Sequence, residues 1–266
     1  MILVCCASGC LAADAADAAQ RQRCGLEGRR RRSGLVPTAV VREVPRKGQG
    51  AMQAHTVSKE DEDDNWAPIR IKVSAREMYD SLRHCTAAGD LRVDHGGRPI
   101  TSESDEVLME EMRDIILRQM LPAAAKLHSE RLSVRPVTDL TVLPRTNLGL
   151  CDKFTIPRKH CTVGVEGAEM ILYVKAFPTS GELAWTIRCA FLEDGLLFAA
   201  AVKFDPKVIA TTNIRVLPAA HVLGHALGLA SELFFAFNMI SEVPKVRGKL
   251  KVAVISSPRV KEMVRS

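Results

Sequence analysis

HVLGHALGL, residues 221–229 of this 266-residue sequence, contains two histidines in a spacing that points to a helix and to a candidate metal chemistry. His221 and His225 are four residues apart, so on a helix both imidazoles lie on one face, one turn apart. Two such nitrogens can bind one tetrahedral zinc ion. The same spacing on an apolar helix also suits two ordinary core or surface histidines, and the surrounding sequence has to decide between the two interpretations.

The residue after the first histidine carries the chemistry in the pattern H-E-x-x-H, where a glutamate takes the proton of the attacking water. Val222 occupies that position and has no proton acceptor. Gly228 fits the longer pattern H-x-x-H-x-x-G-x-x-H, but Ser231 occupies the position of its third histidine, and no histidine follows His225. We therefore expect two protein ligands, weakly held or absent zinc, and no intact general base.

The metal-binding helix is expected near residues 218–229, and Pro218 either starts it or kinks it. Residues 216–240 contain a single charged group and are long enough to span a membrane. Their proline, two histidines and two glycines favour a buried helix followed by a turn.

The rest of the ordered chain predicts an α+β fold, with a mixed sheet packed on helices. Alternating apolar residues at 69, 71 and 73 predict a half-buried strand, and 169–177, 184–191 and 197–204 are apolar and β-prone. Residues 103–120 predict an amphipathic helix capped by Ser102 and Asp105 and ended or kinked at Pro122. The apolar stripe of that helix consists of Leu108, Met112, Ile115, Ile116 and Met120.

The N-terminal 64 residues differ from the remainder in composition. Residues 1–13 are apolar and small, as in a secretory signal peptide, although they lack its positive start; a short apolar tail is the alternative. Residues 14–64 are expected to be a poorly ordered pro-region or linker. The arginine run at 29–32 is either a processing site or a solvated charge run. Of eight cysteines, five lie beyond the predicted signal, so at least one of them is unpaired.

The charge balance argues against a nucleic-acid partner. The sequence has a net charge of +6 and a pI near 9.0, but residues 1–64 carry a net charge of +1 and the remaining 202 residues a scattered +5. Only two Trp and two Tyr are available for stacking on bases. A solvated basic surface is the preferred interpretation.

The sequence around the two histidines resembles leishmanolysin, a zinc metalloendopeptidase of parasite cell surfaces. His221, His225, Ala226, Leu227 and Gly228 match the family's H-E-x-x-H-A-L-G-F. The resemblance runs in order through dissimilar segments from Asn65 to residue 266. Further matches are Asn65, Trp66, Arg70, Ile71, Val73, Ser74, Leu127, His128, Glu130, Arg131, Leu132, Leu183, Ala184, Trp185, Cys189, Val243, Pro244, Val246, Arg247, Gly248 and Lys249.

This resemblance implies a zincin-like N-terminal protease subdomain over residues 65–230 and the start of a following subdomain over 231–266. In the family the third histidine comes after a long insertion. The chain is expected to stop inside that insertion, before the third histidine, the Met-turn and the anchor-bearing domain. It would then be a truncated copy in the secretory pathway, secreted or at the cell surface.

The resemblance also assigns the cysteines. It implies a disulfide between Cys151 and Cys189, and it places Ser102 where the partner of Cys85 would be. Cys161 has no counterpart. Arg23, Cys24 and Glu27 resemble the family's cysteine switch, whose thiolate caps the zinc; a lone cysteine in a basic loop is the alternative.

Three functional interpretations follow. The first is a catalytically impaired homologue of a zinc endopeptidase, whose family acts on protein or peptide substrates, here with a binding, adhesion or decoy role. The second is an active enzyme, against which Val222 stands. The third is a basic module that binds polyanions.

Overall fold

A computed structural model of the chain describes residues 40–41, 43–44, 65–93, 98–145, 148–179, 184–192, 197–211, 216–246 and 249–256. The predicted signal peptide and Cys24 lie outside the described residues. The chain divides into two compact units, one formed by residues 22–227 and the other by residues 1–21 with 228–266.

A five-stranded mixed sheet forms the centre of the larger unit, with strand order β1-β10-β11-β9-β4. Only β10 and β11 are antiparallel neighbours, and the other three pairings are parallel. The three long strands predicted from apolar runs are confirmed with bounds within one residue. The strands of this sheet are β1 (Val40–Val41), β4 (Ile71–Ser74), β9 (Met170–Ala176), β10 (Ala184–Leu192) and β11 (Leu197–Phe204).

The sequence of the central strand, β11, is an apolar run interrupted only by Lys203, and it does not alternate between apolar and polar residues. Every residue of Leu197–Phe204 is buried, as expected for a strand covered on both faces. One face packs into a core that includes Phe154, Tyr173, Trp185 and Phe198. Three two-stranded sheets complete the larger unit: β2 (Glu43–Val44) with β8 (Leu140–Thr141), β3 (Ala67–Pro68) with β7 (Ser133–Val134), and β5 (Leu91–Val93) with β6 (Pro99–Thr101).

The helix predicted over residues 103–120 begins later than expected. A 3₁₀ turn, Ser104–Glu106, comes first, and its capping box joins Glu103 and Glu106. Val107 is then extended, and the Leu108 N–H donates to the Cys85 carbonyl at 3.0 Å, which holds the chain out of helical geometry. The regular helix α1 covers Glu110–Asp114, so the predicted caps at Ser102 and Asp105 are wrong.

Pro122 does not end this helix, contrary to one of the two expectations. A π-helical turn, Ile115–Met120, joins α1 to α2, Leu121–Ser129, and the Leu121 N–H donates to the Ile116 carbonyl. Proline lacks an N–H and its ring crowds the carbonyl four residues earlier, so a wider turn relieves the conflict. Ile116 and Met120 of the predicted stripe are fully buried.

A short helix, α3 (Arg158–Thr162), is held against the sheet by a buried histidine. The His160 Nδ1 lies 2.9 Å from the Tyr173 hydroxyl on β9. Burial, with smaller contributions from Lys159 and Lys72, lowers the pKa of His160 to about 4. The folded protein therefore holds this imidazole neutral at pH values where the unfolded chain protonates it.

The free energy of unfolding should consequently fall as the pH is lowered from 6.5 towards 4 and level off below that. Because the unfolded state binds the extra proton, we expect a loss of about 1–2 kcal/mol between pH 7 and pH 5, with allowance for solvent screening. Denaturant unfolding at pH 7, 6 and 5 measures it. His160→Gln should remove this part of the slope, and an unchanged slope in that variant would contradict the assignment.

A second anchor ties β4 to the loop before β9. The buried Glu169 carboxylate accepts hydrogen bonds from the backbone N–H groups of Arg70 (2.8 Å) and Val137 (3.0 Å) and forms an ion pair with the Arg70 guanidinium. Burial alone would raise the pKa of Glu169, but these hydrogen bonds outweigh it and lower the pKa. The carboxylate therefore stays ionised inside the fold.

The cysteines follow the implied assignment. Cys151 and Cys189 form a disulfide that joins the 3₁₀ turn Gly149–Lys153 to β10. Cys85 and Cys161 are free thiols. Ser102, whose hydroxyl donates to the Ala87 carbonyl at 2.7 Å, lies next to the buried Cys85 thiol, so a serine stands beside Cys85 where the resemblance implies a second half-cystine.

Ser102→Cys should therefore create a second disulfide with Cys85 without rearranging the backbone. The chain-entropy model gives a gain of about 3 kcal/mol for a loop of about 17 residues. The measurement is the free energy of unfolding of oxidised Ser102→Cys relative to Ser102→Ala, which loses the same hydroxyl. Two titratable thiols at positions 85 and 102 after oxidation would show that the side chains are not close enough.

Helix α4 covers Pro206–Thr211. The long apolar segment that follows divides into two helices. α5 covers Val216–Ala226 and α6 covers Ser231–Ala236, and Gly228 between them has φ of +92°, a left-handed conformation that favours glycine after a helix. By length and composition alone Val216–Ala236 is a membrane-span candidate, but more than half of it is buried. The predicted buried helix and turn are confirmed. The smaller unit also contains a hairpin of β12 (Ile240–Val246) and β13 (Lys249–Ile255).

Candidate metal site

The two histidines of the opening motif lie together on α5. Their Nε2 atoms are 3.0 Å apart, and the ring planes are nearly perpendicular, with centroids separated by 4.6 Å. His225 is buried and His221 is half-buried. Two imidazole nitrogens on one tetrahedral zinc would be about 3.3 Å apart, from Zn–N distances near 2.0–2.1 Å. The pair is therefore close to the spacing that a shared ion requires, and without an ion one ring can donate a hydrogen bond to the other.

The first turn of α5 explains how proline is accommodated so near the histidines. Pro218 is the third residue of the helix that the structure describes from Val216. The N–H groups of a first turn have no partner within the helix, so a proline there removes no intrahelical hydrogen bond. Pro218 therefore fits the helix start and leaves His221 and His225 in the regular part.

Two side chains from elsewhere in the unit hold this helix in place. The His128 Nε2 on α2 donates to the Ala220 carbonyl at 2.7 Å, and the Thr186 hydroxyl on β10 donates to the Val222 carbonyl at 3.3 Å. Both acceptors are adjacent in sequence to His221. Helix α5 is thereby tied to a helix on one side and to the sheet on another.

Sequence reasoning missed the roles of His128 and Thr186. The two residues lie 92 and 36 positions from the carbonyls that they contact, and no local pattern connects such distant positions. His128 appeared only as one match among several to the family sequence.

The position at which the sequence motif predicts a general base holds a buried apolar side chain. Val222 is 2% exposed and offers no acceptor for a proton. Among the described residues, no group of three or more His, Cys, Asp or Glu side chains could hold a metal ion. In this part of the chain His221 and His225 are therefore two candidate ligands, fewer than the four that zinc prefers.

The other predicted site residues fall in different places. Cys24, the candidate switch, lies outside the described residues. Cys151 and Cys189 are joined in the core of the larger unit. Ser231, at the third-histidine position, is the first residue of α6 in the smaller unit.

Comparison with known proteins gives one consistent family. The family model described as Leishmanolysin matches residues 17–266. Leishmanolysin from Leishmania major is 32% identical over 199 residues, covering 73% of this chain and 33% of the relative. Leishmanolysin from Leishmania amazonensis is 32% identical over 188 residues, covering 70% of this chain and 32% of the relative. A leishmanolysin homolog from Crithidia fasciculata is 30% identical over 199 residues, covering 73% of this chain and 30% of the relative. The chain thus spans about a third of the length of these relatives.

Proposed function

Because this chain belongs to the leishmanolysin family of metalloproteases, we propose that it is a metallopeptidase homologue that retains two zinc ligands and has lost the peptidase step. The observation that carries this proposal is the pair of Nε2 atoms 3.0 Å apart with a buried valine at the general-base position. The family's substrates are proteins or peptides, and a chain of this kind would meet the same class of molecule.

The residues present divide the family's chemistry into a retained part and a lost part. Zinc, when bound, supplies a Lewis acid that polarises a carbonyl and makes water more acidic. His221 and His225 would hold the ion, and His128 would orient their helix through the Ala220 carbonyl. Val222 can neither accept a proton from a nucleophilic water nor return one to a leaving amine, so proton transfer has no agent at this position.

Zinc should bind weakly to the purified chain, because two imidazoles leave the remaining positions to solvent. A competition titration against a chromophoric chelator measures the affinity for zinc. We expect the purified chain to contain less than one zinc ion per molecule, and dialysis should remove it. His221→Ala and His225→Ala should each abolish binding, and Val222→Ala, a change in the same helix that leaves both ligands, should not.

Cys24→Ser tests whether the predicted switch cysteine supplies a third ligand, in which case the parent chain would retain zinc until the thiol is removed. Tight zinc that survives both Cys24→Ser and His221→Ala would place the site elsewhere and contradict the proposal.

The second candidate function is a binding or decoy role on the same scaffold. It is favoured because the larger unit keeps a buried core while valine stands where the motif predicts the general base. Buried strands and a disulfide stabilise the larger unit independently of catalysis. Binding to peptide ligands needs this scaffold and no proton transfer. Retained affinity for an unhydrolysed peptide, measured by calorimetry, would support it.

The proposed location is the secretory pathway, with release from the cell or residence at its surface. The Cys151–Cys189 disulfide supports this location, since disulfides persist in oxidising compartments. Non-reducing peptide mapping of the protein isolated from its native source would test it.

A further inference from the structure

A cleft of about 320 Å³ in the larger unit is separate from the histidine pair and has no assigned role. Its volume is at the lower end of the range for ligand pockets. It is formed between the loop after β8, the 3₁₀ turn Gly149–Lys153 with the residues that follow it, and α3. The lining residues are Arg145, Asp152, Phe154, Ile156, Arg158 and Cys161.

Two arginines give the cleft its positive charge. Arg145 comes from the loop after β8 and Arg158 is the first residue of α3. Within the described residues, neither guanidinium has an ion pair or a side-chain hydrogen bond. A guanidinium presents several N–H donors in a fork that matches a carboxylate, and both arginines have that capacity available to a ligand.

Three contacts between described residues tie the walls of the cleft to the sheet and to each other. The Cys151–Cys189 disulfide holds the 3₁₀ turn on the sheet, and the contact of His160 with the Tyr173 hydroxyl holds α3. The Cys161 Sγ lies 3.7 Å from the Pro144 carbonyl and links α3 to the loop that carries Arg145. A rigid site loses less conformational entropy on binding, so a small cleft of this kind can still bind usefully.

The floor and rim decide which kind of anion fits. The half-buried Ile156 and the largely buried Phe154, which is 5% exposed, contribute apolar atoms to the lining, and these suit a small hydrophobic side chain rather than a sugar or an inorganic ion. Asp152 on the rim repels a uniformly charged polyanion but accepts hydrogen bonds from peptide N–H groups. Two arginines, an apolar floor and one acidic rim residue together match a peptide that alternates acidic and apolar side chains.

We propose that this cleft binds an acidic peptide segment, with ligand carboxylates on Arg145 and Arg158 and an apolar ligand side chain on Phe154 and Ile156. The site needs no metal and no general base, so it does not depend on the function proposed for His221 and His225. It gives the chain a peptide-binding surface that remains when the peptidase step is lost.

The test uses a fluorescein-labelled peptide of alternating glutamate and leucine with the full chain, read by fluorescence anisotropy. Removal of charge-assisted hydrogen bonds predicts that Arg145→Gln with Arg158→Gln weakens binding at least about tenfold. Arg118→Gln, which removes an exposed arginine on the π-helical turn, is the matched control and should leave binding unchanged. A peptide with glutamine in place of glutamate should not bind.

Two further measurements separate this site from the alternatives. Occupation by the peptide should slow modification of Cys161 by a neutral maleimide, quantified by mass spectrometry of the fragment that contains it. An unchanged Cys161 rate at saturating peptide would place binding elsewhere and overturn the proposal. Displacement of the peptide by a sulfated oligosaccharide at equal concentration, with Asp152→Asn strengthening oligosaccharide binding, would also overturn it in favour of general polyanion binding.

Discussion

The purified chain should hydrolyse a general peptide substrate no faster than its own His221→Ala variant, with or without a zinc chelator. The reason lies in one side chain: Val222 replaces the glutamate that acts as general base in the family motif, and it is 2% exposed with no acceptor atom. Loss of a positioned general base typically lowers a rate by about 10²–10⁴-fold. Chelator-sensitive turnover well above the His221→Ala level would show that another group takes the proton.

Restoring the glutamate alone should not restore the activity. Val222→Glu would place a carboxylate at a position that is buried in the fold, where desolvation destabilises a charge unless a metal or a hydrogen-bond donor compensates it. The described residues offer zinc two ligands, so that compensation is weak. We expect Val222→Glu to lower the free energy of unfolding and to remain inactive. The matched Val222→Gln variant has the same side-chain shape without the charge, so the difference between the two variants gives the effect of the charge on the free energy of unfolding. Full activity in Val222→Glu would mean that the zinc site is complete and that valine alone disables it.

The long strands of the sheet could be predicted because their burial leaves a local signature. Leu197–Phe204 is apolar except for the buried Lys203, since both faces of the central strand are covered, and the flanking strands β9 and β10 are nearly as apolar. The proximity of His221 and His225 was equally local, because a spacing of four residues is one helical turn. For both features the sequence positions that matter are neighbours in the chain.

The features that were missed depend on contacts between distant positions. The helix predicted from residue 103 begins at Glu110 because the backbone at Leu108 bonds to Cys85, a tertiary contact that no periodicity contains. Pro122 was given its ordinary effect of ending or kinking a helix, and the π-helical turn that accommodates it has no sequence signature that we know. The arginines of the cleft are 13 positions apart and were part of a scattered surplus of charge until the fold placed them around one cavity.

Removal of the Cys151–Cys189 disulfide should strongly destabilise the larger unit. The two cysteines are 38 positions apart, and a loop of that length corresponds to about 4 kcal/mol in the chain-entropy model. Both side chains are fully buried among Phe154, Tyr173 and Trp185, so their loss also disturbs the packing that supports the cleft. Cys151→Ala with Cys189→Ala should therefore lower the free energy of unfolding by about 4 kcal/mol in denaturant titrations.

The control for this prediction is built into the chain. Cys161 is a free, half-buried thiol, and Cys161→Ser should change the free energy of unfolding by less than about 1 kcal/mol. Reduction of the parent protein should reproduce most of the loss seen in the double variant, because the chain-entropy contribution depends on the bond and not on the residues that carry it. The same bond fixes one wall of the cleft, so the reduced protein should also bind the acidic peptide more weakly. Peptide mapping that finds Cys151 joined to Cys85 or Cys161 would contradict the predicted loss of stability and the predicted weaker peptide binding. In that case neither the 3₁₀ turn nor the wall of the cleft would be held on β10.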